Sequence, residues 1–291
     1  MATAALKAPL PATTGASGTT PTPPIAPPKT IAERIVQPSA RMGYVVATIY
    51  GKGGVGKTSL LATMPGKGLV LDVPQVEGGT FVLAEEAGRI DVLPVRRWAD
   101  FSGAFQYLAT AKHDYKWAAI DSITAAQVLA KRKTLSERDL AADPAQVTQQ
   151  DWGKIGELNA ELYYRFCTLQ MHVIFIAQEQ LKGNDAGESE YQPNVSPASL
   201  TALQPPQTMI GRLYTREVTD GQGAVSIERQ LRVAPHARAL AKCRALPSRP
   251  VPPTIRNPHL GRLFGYLLGA KDAKAPEAVT EESSLGVIEL A

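Results

Sequence analysis

The chain has 291 residues, 44% of them hydrophobic, with a net charge of +4 and a pI of about 9.0. That is enough apolar material for one large core or two small ones, and no window is long and apolar enough to cross a bilayer, which excludes an integral membrane protein. Cys167 and Cys243 lie far apart, and His113, His172, His236 and His259 have no ligand spacing, which excludes a disulfide framework and a cysteine or histidine metal centre. A reduced, cytoplasmic protein is expected, with no membrane partner. The mild basicity leans towards anionic partners.

Up to about Lys29 the chain is almost entirely Ala, Pro, Thr, Gly and Ser, which cannot bury enough apolar area to offset its ordering entropy. Residues 1–40 therefore read as a disordered leader, with Ile31 to Met42 as a lead-in docked on the body. Lys7 is followed by Ala8-Pro9-Leu10-Pro11, too proline-broken for a signal peptide. Residues 41–270 read as the globular unit. From Lys271 the chain carries Asp272, Glu277, Glu281, Glu282 and Glu289 against two lysines, so 271–291 read as an acidic mobile tail.

The apolar run Tyr44 to Tyr50 predicts a strand. Directly after it stands Gly51-Lys52-Gly53-Gly54-Val55-Gly56-Lys57-Thr58-Ser59, a complete G-x-x-x-x-G-K-T in the order strand, glycine turn, helix start. Glycines let the backbone wrap an anion with its N–H groups inward, and the helix start adds a positive dipole end. Lys57 would reach the β- and γ-phosphates of a nucleoside triphosphate, and Thr58 would hold Mg²⁺. ATP and Mg²⁺ are the cofactors this spacing implies.

Further along, Gly68–Asp72 and Asp91–Val95 read as short buried strands. A helix from about Ala99 to Ala111 follows, with Phe101, Phe105 and Leu108 at helical spacing. Trp117 to Asp121 predicts another strand, and Ser122 to about Thr134 a helix. Leu135 to Gln149 reads as a loop. Asp151 is placed as the cap of a helix whose Ile155, Leu158, Leu162, Phe166 and Leu169 form one stripe. His172 to Gln178 is an almost unbroken apolar strand, then a polar loop runs from Glu179 to Ser199. Arg212–Val218, Ser226–Val233 and Ala237–Cys243 read as an antiparallel extension. Buried strands alternating with helices predict an α/β fold, a mainly parallel sheet covered on both faces.

Four polar residues stand where such a sheet binds ligands, at or just past the carboxyl ends of its strands. Asp121 is placed to hold Mg²⁺ through water or Thr58, and also suits a helix cap. Glu77, in a loop with Gly78 and Gly79, is a candidate for orienting the attacking water; Asp72 competes for the same task. Gln178 closes an apolar strand ahead of a polar loop, where an amide can contact the γ-phosphate and report it onward.

These segments resemble the RecA recombinases. Trp117-Ala118-Ala119-Ile120-Asp121-Ser122 is similar to the RecA Walker-B strand. Val173-Ile174-Phe175-Ile176-Ala177-Gln178-Glu179 is similar to the strand that ends in the nucleotide-sensing glutamine and opens the second DNA-binding loop. By that resemblance Glu77 activates water at a spacing longer than RecA's. Lys242-Cys243-Arg244 is similar to the paired basic residues that reach a neighbouring subunit's nucleotide, which makes Lys242 and Arg244 candidate nucleotide ligands. The short helix after the P-loop, Gln150-Asp151-Trp152-Gly153 and Asn257-Pro258-His259-Leu260 resemble short phage-encoded RecA-like ATPases. The likeness spans about Tyr44 to Gly269.

The resemblance implies a RecA-like P-loop ATPase core, stimulated by DNA, that binds single-stranded DNA and promotes annealing or strand pairing as a ring or filament. Partners are then single-stranded DNA, further copies of the chain and a single-strand-binding protein, in a host cytoplasm if the chain is phage-encoded. The candidate first DNA loop has Lys131-Arg132-Lys133 and Arg138. The second has Asp185, Glu188 and Glu190 against Lys182, which is unfavourable beside phosphates, with Tyr191 available to stack on a base. Two rivals remain. Lys52 also fits the deviant P-loop of ParA/MinD dimers, although the short helix and the Gln178 strand fit them poorly. A nucleotide-gated adaptor in a phage replication complex is the other.

Overall fold

In the computed structural model, residues 43–73, 79–137, 147–183, 189–219 and 223–279 are described. Among these residues, ten strands form one sheet. They are β1 (Val46–Gly51), β2 (Gly68–Asp72), β3 (Ile90–Pro94), β4 (Trp117–Asp121), β5 (His172–Gly183), β6 (Ser189–Pro193), β7 (Met209–Thr219), β8 (Val225–Arg232), β9 (Lys242–Cys243) and β10 (Thr254–Arg256). The order across the sheet is β10-β8-β7-β1-β5-β4-β2-β3, with β6 paired to β5 and β9 to β7. Neighbours from β7 through β1 to β3 run parallel.

Helices cover both faces, as buried apolar strands require. One face packs against α2 (Trp98–Thr110), α3 (Ile123–Ser136), α4 (Gln149–Cys167) and α5 (Pro197–Leu203) through residues such as Phe101, Leu129, Phe166 and Leu203. The other packs against α1 (Lys57–Leu61), a 3₁₀ stretch Gly79–Glu86 and α6 (Leu260–Leu267), through Leu60, Leu83 and Phe264. Among the described residues no helix is long and apolar enough to cross a membrane.

Several expectations need correction. Thr148, not Asp151, is the N-cap of α4; Asp151 sits three residues in and returns the bond, accepting from the Thr148 N–H at 2.9 Å. Ser122 caps α3, its hydroxyl accepting from the Ala125 N–H at 3.3 Å, which leaves Asp121 to other work. Where it is described, the polar segment after Gln178 is not a loop. β5 runs on to Gly183 and pairs antiparallel with β6, and α5 follows from Pro197. The residues of this arm are mostly polar, and Leu181, one of its few apolar ones, is exposed, so no apolar pattern announces it.

The expected antiparallel extension is real for β7 and β8, but β7 starts at Met209 as a parallel neighbour of β1. Ala237–Cys243 shrinks to the two residues of β9, because a turn closed by Ala239 N–H to His236 O occupies its first half. The segment from Lys271 is not wholly a mobile tail: Glu277 O accepts from the Arg256 N–H at 2.9 Å, and the Glu277 carboxylate meets Arg256 Nη1 at 3.4 Å. The leader, Ile31 to Met42 and residues 280–291 lie outside the described residues.

Candidate nucleotide site

Strand register builds the site. Gly51 of β1 lies beside Gln178 of β5, Ile176 beside Asp121 of β4, and Asp121 beside Asp72 of β2. The carboxyl edge of the sheet thus presents the P-loop, an amide and two carboxylates in one row. They open on a cavity of about 220 Å³ whose lining includes Gly54, Lys57, Thr58, Asp72, Asp121 and Gln178. Gly54 and Gly56 hold φ of 80° and 90°, the left-handed region that favours glycine, so the loop's shape depends on them. Helix α1 has only five residues, so phosphate capture falls to the loop N–H groups and Lys57 more than to a helix dipole.

Lys57 is 6% exposed, and its ammonium donates to Gly51 O at 2.8 Å and to Gln178 Oε1 at 3.2 Å. The Lys52 carbonyl also accepts from it, while the Lys52 side chain is exposed and not part of the cavity lining. Thr58 donates its hydroxyl to Asp121 Oδ2 at 2.5 Å, which turns the hydroxyl lone pairs outward. Burial holds the Asp121 carboxyl above its ordinary range; the Thr58 bond and the Lys57 charge pull it down, and Asp72 pushes it further up. Two adjacent carboxylates and a hydroxyl form a hard-oxygen donor set that suits Mg²⁺. Thr58 and Asp121 would hold the ion, which when bound neutralises charge between phosphate oxygens.

Asp72 accepts from Thr80 Oγ1 at 3.2 Å and faces the cavity. Glu77 lies outside the described residues; Val73 and Gly79, on either side of 74–78, both line the cavity. Lys242 and Arg244 are not brought to this chain's P-loop. Lys242 Nζ donates to Gln204 O at 2.6 Å, and Arg244 Nη2 donates to Pro205 O at 3.1 Å.

Gln178 is pinned on both sides. Its N–H donates to Thr124 Oγ1 at 3.0 Å, and its carbonyl accepts from the Asn194 N–H at 2.7 Å, so it joins α3 to the end of the β5–β6 arm. Next to it, Glu179 takes Arg212 Nε at 3.0 Å, a pair with side chains 7% and 10% exposed. The Arg212 guanidinium covers the Tyr191 ring at 3.5 Å, so this ring is committed to the arm and is not the base-stacking group the sequence suggested. Lys182 and Glu190 lie on the arm, while Asp185 and Glu188 lie outside the described residues.

A second feature joins segments far apart in sequence. A groove of about 1000 Å³ is lined by Arg96 and Arg97, by Lys131, Arg132 and Lys133 on α3, and by Arg165 on α4, with Trp98 among them. Glu161 is the one acid in that lining, and Arg165 pairs with it at 2.5 Å. Arg96, Lys131 and Arg132 form no ion pair among the described residues. Arg138 lies outside them. The sequence pointed to the α3 run only; Arg96, Arg97 and Arg165 join it through packing of α2 and α4. Both thiols are pushed up by burial, Cys243 to about 11 and Cys167 to about 12, which suits inert packing residues.

A mainly parallel sheet with a P-loop at its carboxyl edge, and with Asp121, Asp72 and Gln178 beside that loop, defines a P-loop ATPase. The AAA domain family AAA_24 matches residues 44–245, most of the chain, and the protein belongs to that family. No curated protein matches it significantly. Among solved structures it is similar to a KaiC-like protein from the hyperthermophilic archaeon Pyrococcus horikoshii. That likeness has 12% identity, covers 65% of this chain and 77% of that one, and has a TM-score of 0.39, too slight to bear on the site.

Proposed function

We propose that this ATPase is a phage-type recombination protein that binds single-stranded DNA and promotes annealing or strand pairing. ATP binding orders copies of the chain on the strand as a ring or filament, and hydrolysis releases them. The basic groove carries this reading: six cations line it beside an aromatic ring, and although Arg97, Lys133 and Arg165 pair with Asp100, Glu137 and Glu161, Arg96, Lys131 and Arg132 form no ion pair among the described residues. A polyanion that displaces counterions is the partner such a surface favours, and Trp98 offers a base a stacking plane. Gln178 supplies the link to ATP, because its side chain meets Lys57 while its main chain holds the β5–β6 arm. A ParA/MinD-like dimer is disfavoured by the short α1 and by the Gln178 strand beside the P-loop strand. In the recombination reading Lys242 and Arg244 serve a neighbouring copy's nucleotide, and a single-strand-binding protein hands over the DNA.

Reversing Lys131 and Arg132 to glutamate tests the groove. Single-strand affinity at low salt is expected to fall, and the slope of log affinity against log salt to flatten by about 0.7 for each phosphate that is no longer neutralised. ATP affinity should stay as it was, because neither residue lines the nucleotide cavity. Wild-type affinity and slope in that variant would contradict the groove as the DNA surface. Absence of DNA binding in the wild type, with little turnover, would favour the nucleotide-gated adaptor, and assembly into dimers alone would favour the ParA/MinD pattern.

A further inference from the structure

The sheet order gives the P-loop two sides. On one side of β1 stand β5, which carries Gln178 level with Gly51, and β4 and β2, whose ends carry Asp121 and Asp72; on the other stand β7 and β8. Lys57, Thr58, Gln178 and Asp121 converge on the first side, which makes it the place of the terminal phosphate and its metal. A nucleotide seated that way extends its nucleoside towards β7 and β8.

Arg229 of β8 lies there. A Cβ built on Gly56 would be 3.1 Å from Arg229 Nη1 and 3.4 Å from its Cζ, so the guanidinium rests against the loop. The side chain is exposed and has no ion pair or hydrogen bond among the described residues. Its main chain, by contrast, is clamped: Asn257 N–H donates to Arg229 O at 2.8 Å, and Arg229 N–H donates to Asn257 Oδ1 at 3.4 Å. Asn257 holds φ of 40°, a left-handed conformation that asparagine adopts more readily than most residues. Along β8, Ile227 shares the strand face of Arg229 and Leu231. Leu231 is fully buried beneath them, but Ile227 is 72% exposed. A bare isoleucine beside a well-positioned guanidinium that has no ion pair among the described residues is a surface prepared for a flat, partly apolar ligand.

We propose that Arg229 and Ile227 form the nucleoside subsite of the P-loop: the guanidinium plane stacks on the base, and Ile227 packs beside it. Planar delocalised charge over an aromatic face is favourable, and arginine provides it where lysine cannot. The subsite rests on the P-loop alone and is independent of the nucleic-acid reading.

Titrations of the full-length protein with Mg–ATP, Mg–ADP and Mg–tripolyphosphate, in wild type, Arg229→Ala and Arg229→Lys, test it. Arg229→Ala is expected to weaken ATP and ADP to the same extent, about 2- to 30-fold, and to leave tripolyphosphate within about 2-fold. Arg229→Lys keeps the charge without the plane and should recover only part of the loss. Because the side chain has no ion pair or hydrogen bond among the described residues, thermal melts should match the wild type. Unchanged nucleotide affinities would overturn the proposal. An equal loss for tripolyphosphate would overturn it in favour of a general phosphate clamp, as would full recovery in the lysine variant. A defect confined to turnover would overturn it in favour of a transition-state role.

Discussion

Replacing Lys57 with alanine is expected to abolish nucleotide binding while the fold survives. The ammonium is nearly buried, and it is fixed by Gly51 O, Lys52 O and Gln178 Oε1 at the mouth of the cavity. A bound triphosphate would draw this cation into charge-assisted hydrogen bonds with the β- and γ-phosphates, each worth about 1.5–3 kcal/mol. Two such bonds correspond to a loss on the order of 10²–10⁴-fold in ATP affinity. The fold should survive because the carbonyls left behind face a cavity that water can enter, and because the β1 ladder to β5 and β7 does not involve the side chain. Calorimetric titration with Mg–ATP, beside a thermal melt, measures both halves. Undiminished affinity would contradict the role of Lys57.

Asp121→Asn should separate binding from turnover. The amide oxygen can still accept from Thr58, so the loop keeps its shape, but the negative charge serving the metal is gone. Disturbing even a hydrogen-bonded partner of a metal ligand typically costs about 10–100-fold in metal affinity or activity, and at least that loss is expected in Mg²⁺-dependent hydrolysis when a group that would hold the ion loses its charge. Nucleotide affinity should change little. The variant also carries a pH signature. The carboxyl of Asp121 is raised in the folded protein, chiefly by burial. Its contribution to stability is therefore fully present below the unfolded value and is lost as pH rises through the folded one. In nucleotide-free, Mg²⁺-free protein, Asp121→Asn should melt higher than wild type at neutral pH, and the difference should vanish in acid. Normal turnover at low Mg²⁺ would contradict the assignment.

The P-loop and the strand ends at Asp72 and Asp121 were legible because their signals are local; Gln178 was found by the same signal, although its strand runs on to Gly183. Glycine spacing and short apolar runs with a polar end need no knowledge of distant contacts. Helix α6 was equally legible and was overlooked: Leu260, Leu263, Phe264 and Leu267 fall at i, i+3, i+4 and i+7. The β5–β6 arm was hidden for a physical reason, since a hairpin held by Glu179–Arg212 and by Arg212 on Tyr191 needs no alternating apolar face. Arg229 was hidden more deeply. Its place over Gly56 follows from the β7–β8 pairing and the Asn257 clamp, and nothing within a few residues of it says so. The basic groove falls between these cases, one cluster being readable on α3 and the rest supplied by tertiary packing.

In the proposed function, ATP at the P-loop governs a hold on single-stranded DNA, with Gln178 as the connection. It is tested most directly by measuring single-strand affinity with and without a non-hydrolysable ATP analogue, in wild type and in Gln178→Ala. ATP should strengthen binding in the wild type by a coupling of about 1–3 kcal/mol, or about 5- to 150-fold, and that gain should disappear in the variant although each ligand still binds. A wild type indifferent to the analogue, or a variant that keeps the full gain, would contradict the claim.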